Sequence, residues 1–226
     1  MTMLLSSRMR PLFGLLLLIL ASPAAAQQVD EQLWLQANAA TEVGKEATLT
    51  LESIARFGDR ADGLAHTEFG GLASWRPSKA IEIGGGYRHV QDYDHDRRIP
   101  NEERLREQVT VQIAGGFATR LRFEQRFSSA GPEVGMRVRG QLRFTLPFGN
   151  RGVAAFAAHE SFIDLNRTDW GQQRGYERMR HSLGLQFPLA KRLRAEAGYL
   201  NQYRFGRHGA RDQMDHAATF TTTLNF

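Results

Sequence analysis

The chain contains no cysteine. That excludes disulfides, thiolate metal sites and a cysteine nucleophile, and leaves backbone pairing and packing to close the structure. Lysine is nearly absent too: only Lys45, Lys79 and Lys191 stand among the 29 basic residues, and the rest are arginine. No apolar run reaches the roughly 20 residues of a spanning helix, and nothing after residue 26 reads as a helix. Proline after that point is confined to Pro77, Pro100, Pro132, Pro147 and Pro188. All five fall at predicted connections or strand ends, where a missing N–H harms no ladder.

The N-terminus does carry a signal. Arg8 and Arg10 precede an apolar stretch at residues 12–20, and Ser22-Pro23-Ala24-Ala25-Ala26 supplies small residues ending in an A-x-A pattern. Residues 1–26 are therefore predicted to be a secretory signal peptide cleaved after Ala26. With no cysteine at that site, a lipoprotein anchor is excluded. The net charge of +5 would ordinarily raise nucleic acid as a partner. Here the arginines alternate with apolar residues instead of clustering, and the leader directs the chain out of the cytoplasm, so no nucleic-acid partner is expected. The mean hydropathy of −0.42 resembles that of a soluble protein. A membrane barrel has the same average, because only every second strand residue meets lipid.

From residue 47 onward the period is two. Residues 47–57 place Leu49, Leu51, Ala55 and Phe57 on one face, opposite Thr48, Thr50, Glu52 and Arg56. Residues 104–113 set Leu105, Val109, Val111 and Ile113 against Arg104, Arg106 and Gln108. In 120–127, Leu121, Phe123 and Phe127 oppose Arg120, Arg122, Glu124 and Arg126. Residues 136–146 oppose Met136, Val138, Leu142 and Phe144 to Arg137, Arg139, Gln141 and Arg143. Further strands are predicted at 65–76, 80–91, 153–163, 178–187, 193–204 and 214–226, adding Glu160, Arg178, Arg180, Arg194 and Glu196 to the polar face. A row of arginines cannot face a small soluble core. A wall in lipid resolves the conflict, with the apolar row on acyl chains and the arginine row on a polar lumen. The predicted fold is an all-β, transmembrane, antiparallel up-and-down β-barrel of the bacterial outer membrane.

Short turns at 76–79, 115–116, 147–150 and 188–191 alternate with longer polar loops at 58–64, 92–103, 164–176 and 205–213. That alternation matches periplasmic turns and external loops. Trp75, Tyr87, Phe148, Phe187, Tyr199 and Tyr203 are candidates for interfacial girdles. The count is ten strands over residues 46–226, with residues 27–45 as a pre-strand segment containing a candidate strand at 33–39; twelve strands is the alternative. The last strand places Phe220, Leu224 and Phe226 on one face, a pattern like that read by the barrel assembly machinery. The expected partners are outer-membrane lipid and lipopolysaccharide, with that machinery during biogenesis.

Trp34 in an opening strand, Arg56 ending the next, Tyr87-Arg88 after a glycine run, the Arg-x-Arg strands, and Glu160 before Phe162 together resemble the proteobacterial outer-membrane proteins grouped as domain of unknown function 2490. The resemblance implies a barrel with no assigned activity and transfers no functional residues.

The lumenal arginines and glutamates are the main candidate site. Buried guanidinium groups need acidic partners, and arginine in excess favours anions, so a structural barrel or a narrow anion-leaning pore is expected. His159 and Ser161 share a strand face and have the H-x-S spacing of an outer-membrane lipid A deacylase family. That spacing motivates the alternative of a lipid-modifying esterase or deacylase, but no third residue to orient the histidine is evident, and chance spacing is the favoured reading. Use of the external loops in envelope interactions is a further alternative. Asp92, Asp94 and Asp96 alternate like a calcium loop, yet Arg97 stands where glycine is needed. No metal or cofactor is expected.

Overall fold

A computed structural model describes residues 27–149, 151–207 and 209–226. The predicted leader, residues 1–26, lies outside them. The strands are β1 (Gln28–Val43), β2 (Ala47–Gly58), β3 (Gly63–Ser78), β4 (Ile81–Asp94), β5 (Arg97–Arg98), β6 (Glu102–Gln112), β7 (Phe117–Ser128), β8 (Val134–Phe148), β9 (Val153–Asp164), β10 (Gly175–Ala190), β11 (Leu193–Arg204) and β12 (Gln213–Asn225). Eleven of them pair edge to edge in a closed ring; β5 only forms a two-residue hairpin on β4.

The all-β barrel read from the sequence holds, and each predicted strand corresponds to one observed strand. The count of ten does not hold. The segment at 33–39, a pre-strand by its sequence, is the middle of β1, which pairs with β2 along one edge and β12 along the other. The barrel thus begins at Gln28 and not at residue 46. An odd count forces the first and last strands to run in the same direction. Residues 28–40 accordingly lie parallel to residues 213–225, and Gln28 and Phe226 stand at opposite ends of the barrel. The signal missed in the sequence is the face Asp30, Gln32, Trp34, Gln36 and Asn38, which alternates polar residues and one tryptophan against Val29, Leu33 and Leu35.

Alternation turns the molecule inside out. Among the described residues, 34 large apolar side chains are exposed, whereas the buried set contains 17 polar or charged residues and 10 apolar ones. Leu51, Phe69, Leu121 and Leu183 stand at about 60% exposure on the outer wall. Trp75, Phe117 and Phe148 lie near the end carrying the short turns, and Phe57, Phe127 and Phe205 near the end carrying the loops. Tyr87 and Tyr199 sit nearer mid-strand.

Prolines mark the irregular points. Pro77 and Pro188 lie within strand ends at register shifts on β3 and β10, so the predicted turns at 76–79 and 188–191 are shorter than expected. Gly86 sits where the wall bends tightly: a Cβ there would stand 2.3 Å from the Gly71 carbonyl oxygen and 3.1 Å from Arg106 Nε. Only hydrogen fits, and the space it leaves is occupied by an arginine. At the loop end, Trp170 donates to the Glu133 carbonyl at 2.6 Å and the Asp169 N–H to the Glu133 carboxylate at 2.7 Å, tying the β9–β10 loop to the β7–β8 loop.

The parallel seam is directly testable. Ala37 and Thr222 are partners across it, both facing outward. A double Ala37→Cys, Thr222→Cys variant, in a chain with no competing thiol, is expected to form an intramolecular disulfide visible as a mobility shift on a non-reducing gel. A ten-strand closure through β2 and β12 would leave these positions apart and give no shift.

Candidate functional site

The lumen is built from alternate residues of every strand, and its chemistry is a set of carboxylates each shared by several arginines. Glu160 on β9 takes Arg139 through two guanidinium contacts of 2.9 and 3.0 Å, Arg120 at 3.1 Å and Arg180 at 3.9 Å. Arg139 also donates to Glu124 at 2.7 Å, which stands 3.7 Å from Arg122. Across the barrel, Glu68 on β3 accepts from Arg56 at 2.7 Å, from Arg88, and from His66 at 2.8 Å if that ring is protonated at Nε2. Glu52 bridges Arg88 at 2.8 Å and Arg106. Glu102 holds Arg104 at 2.9 Å and Arg126 through two contacts of 2.6 and 2.9 Å.

Three aromatic rings stand inside among these charges, Trp34, Phe162 and Phe156, the last under Arg143 at 4.1 Å. Trp34 is covered by Arg56 at 4.0 Å and Arg180 at 4.8 Å, which links β1, β2 and β10 across the lumen. Phe162 is 2% exposed and lies under Arg139 at 4.4 Å, Arg180 at 4.6 Å and Arg178 at 5.4 Å. Guanidinium planes are weakly hydrated and stack on aromatic faces, so these rings accept charge that an aliphatic side chain would exclude.

Of the residues assigned to the lumen from the sequence, Glu52, Arg56, Arg104, Arg106, Arg120, Arg122, Glu124, Arg126, Arg137, Arg139, Arg143, Glu160, Arg178, Arg180 and Glu196 all point inward and make the contacts of this network. Arg194 lies at the turn end, exposed and outside the cavity lining. Sequence reasoning missed Glu68, Arg88, Glu102 and Glu177. The first three have the right parity but sit in short polar stretches without an apolar counter-row. Glu177 is hidden by a bulge: Tyr176 pairs with Ile163 and Arg178 with Phe162, so Glu177 is an extra residue that turns inward beside Arg178. There it contacts Arg178, Arg137 at 3.6 Å and Arg204 at 3.7 Å.

The space left over is a cavity of about 750 Å³ lined by thirteen arginines and eight carboxylates. It runs from Arg60 and Asp94 at the loop end down to Arg143, Glu196 and Thr221. Four further carboxylates, Glu124, Glu160, Asp164 and Glu177, lie behind this lining and pair with its arginines from the wall side. Arg56 Nε, Arg88 Nε and Arg204 Nε are buried without a hydrogen-bond partner among the described residues.

His159 and Ser161 are on the opposite side of the wall, facing outward. His159 Nε2 lies 2.9 Å from Ser161 Oγ, His159 Nδ1 lies 3.0 Å from His181 Nε2, and the Tyr176 hydroxyl is 2.7 Å from Ser161 Oγ. Asp92 turns to His66 and Asp94 to His95, so the three aspartates at 92, 94 and 96 do not converge.

Removing one carboxylate from a buried cluster leaves several guanidinium groups unanswered. Glu160→Gln is expected to lower the unfolding free energy by about 3–5 kcal/mol. Glu196→Gln removes a partner of the more exposed Arg143 and is expected to cost under about 1 kcal/mol. Urea titration of the refolded barrel in detergent micelles reads both, and equal losses would contradict the shared-carboxylate description.

The family model described as a protein of unknown function (DUF2490) matches residues 31–214, a span that runs from β1 into β12. An uncharacterised protein of Methylorubrum extorquens is 34% identical over 199 residues, covering 84% of this chain and 86% of its own length. The matched span contains Trp34, Arg56, Tyr87-Arg88, Glu160 and Phe162, the residues that carry the resemblance. The chain belongs to the DUF2490 family of proteins of unknown function.

Proposed function

We propose that the protein is an outer-membrane β-barrel whose basic lumen takes up small polyvalent anions from the loop side. The observation that carries this reading is the cavity lining, where arginines outnumber carboxylates thirteen to eight; counting Arg106 and the four carboxylates behind the lining, the interior excess is fourteen to twelve. A low-dielectric wall around an excess of guanidinium groups concentrates anions, and planar forks aimed into one space suit phosphate and carboxylate oxygens. The apolar outer wall, the secretory leader predicted at residues 1–26 and the alternation of β12 support the membrane placement, with lipid and lipopolysaccharide around the wall and the assembly machinery acting on β12 during biogenesis. The loops then face outward and the short turns face the periplasm.

Anion uptake is read as stabilisation. Pyrophosphate at tenfold its dissociation constant is expected to raise the unfolding free energy of the refolded barrel by about 1.4 kcal/mol, at ionic strength matched with chloride. Arg120→Gln with Arg143→Gln is expected to remove most of that gain. A response identical to chloride in the unaltered protein would contradict the proposal.

A further inference from the structure

The cluster outside the wall has no part in the lumen, and its composition is unusual for a face that otherwise presents leucine and phenylalanine. His159 and His181 are cross-strand partners on β9 and β10, and Ser161 lies one outward position nearer the loop end. The chain of contacts has a consistent direction when Tyr176 donates its hydroxyl proton to Ser161 Oγ, Ser161 donates to His159 Nε2, and His159 donates from Nδ1 to His181 Nε2. That arrangement gives a serine hydroxyl a hydrogen-bonded base and gives the base an orienting partner, the geometry of an activated nucleophile.

Two local features prepare the site. The bulge at Glu177 changes the parity of β10, so Tyr176 faces outward with His181 although Arg178 and Arg180 face inward; without it Tyr176 would enter the lumen. Bulges re-aim side chains in this way beside active sites. On the other flank, Ser161 is paired with Gly140 of β8, where an added Cβ would meet nothing within 4 Å. Ser161 is thus open to approach from outside the barrel.

Below the cluster the outward residues of β9 are Ala157 and Ala155, flanked by Leu183 and Leu185 of β10 and by Phe144 and Leu146 of β8. Small residues between taller neighbours make a shallow apolar trough that begins below His159 and runs toward the turn end. From His159 to the end of β9 at Val153 it spans about 20 Å, more than half of the roughly 30 Å hydrocarbon thickness.

We propose that Ser161, with His159 as base and His181 as a positioning residue, hydrolyses an acyl ester of an outer-leaflet lipid whose hydrocarbon chain lies in the β9 trough. Ser161 Oγ bonds to the ester carbonyl carbon while His159 takes the serine proton. The bond from that carbon to the alcohol oxygen then breaks, and His159 gives the proton to the departing oxygen. Water, deprotonated by His159, then attacks the acyl carbon; the bond from that carbon to Ser161 Oγ breaks, His159 returns the proton to Oγ, and the fatty acid leaves. As Ser161 Oγ bonds to the carbon, the Tyr176 hydroxyl turns from that oxygen to donate to the carbonyl oxygen. This inference shares the membrane placement proposed above and does not involve the lumenal cavity.

The test uses the full mature chain refolded into vesicles of phosphatidylethanolamine and phosphatidylglycerol, and separately into mixed micelles with lipopolysaccharide, with released fatty acid measured by mass spectrometry. Release from lipopolysaccharide alone assigns the lipid A ester, release from the vesicles alone assigns the glycerophospholipid ester, and either supports the proposal. Ser161→Ala is expected to lower release about 100-fold or more. His181→Ala is expected to lower kcat with KM unchanged, and His181→Glu, which retains an acceptor for His159, to restore it. A fluorophosphonate probe is expected to label Ser161 in the native protein. No fatty acid from either lipid and no labelled Ser161, in a barrel that still migrates as a folded band on an unheated gel, would overturn the proposal. Loss of the pyrophosphate response would leave it standing.

Discussion

A guanidinium group withdrawn from bulk water must be met by a carboxylate, and the number of arginines on alternate strand positions makes that requirement the main constraint on this barrel. Desolvating one such ion costs several kcal/mol, and a single contact does not reliably repay it. The protein answers by sharing. Glu160, Glu68, Glu124 and Glu102 each serve more than one arginine, and most of those arginines come from a different strand. Each shared carboxylate therefore ties strands together through the lumen, in addition to the ladder that ties neighbours along the wall.

The same constraint explains the interior aromatics and the glycines. Trp34 and Phe162 would be misplaced in a polar lumen if they did not stack under arginines. Gly86 leaves the space that Arg106 fills. The Glu177 bulge is a further consequence: it breaks the two-residue alternation at one point and places two successive charged residues on the lumenal side, where Glu177 meets Arg137, Arg178 and Arg204. The parity change that serves the interior also moves Tyr176 to the outside, so the outer cluster and the lumenal network depend on one irregularity.

How much of this the sequence reveals follows from which features are periodic. Strands whose two faces differ sharply, such as 120–127 and 136–146, are legible because every residue votes for the same side. The first strand is less so, since Trp34 stands on its polar face and Ala37 and Ala39 on its apolar one, and its pattern alone does not place it in the wall. Ten strands looked natural because an even number permits antiparallel pairing throughout; the parallel seam between β1 and β12 depends on closure of the whole ring, which no local pattern encodes. The lumenal arginines were identifiable by alternation, but their partners Glu68, Glu102 and Glu177 were not, because pairing is set by register across strands. For the same reason His181, 20 residues beyond Ser161 and on another strand, could not be recognised as the third member of the outer cluster.

Because the chain lacks cysteine, single spin labels can be placed one at a time without removing native thiols. The decisive measurement is a label scan along β8 of the protein in lipid bilayers, at Met136, Val138, Leu142, Phe144 on one face and Gln141 and Thr145 on the other, comparing collision with oxygen and with a water-soluble nickel complex. High oxygen accessibility at the first set and low at the second, with a two-residue period, is the expected result for an apolar wall in lipid around an ion-paired lumen. Uniform access of the nickel complex to the first set would mean that the apolar face meets water, and would contradict the account.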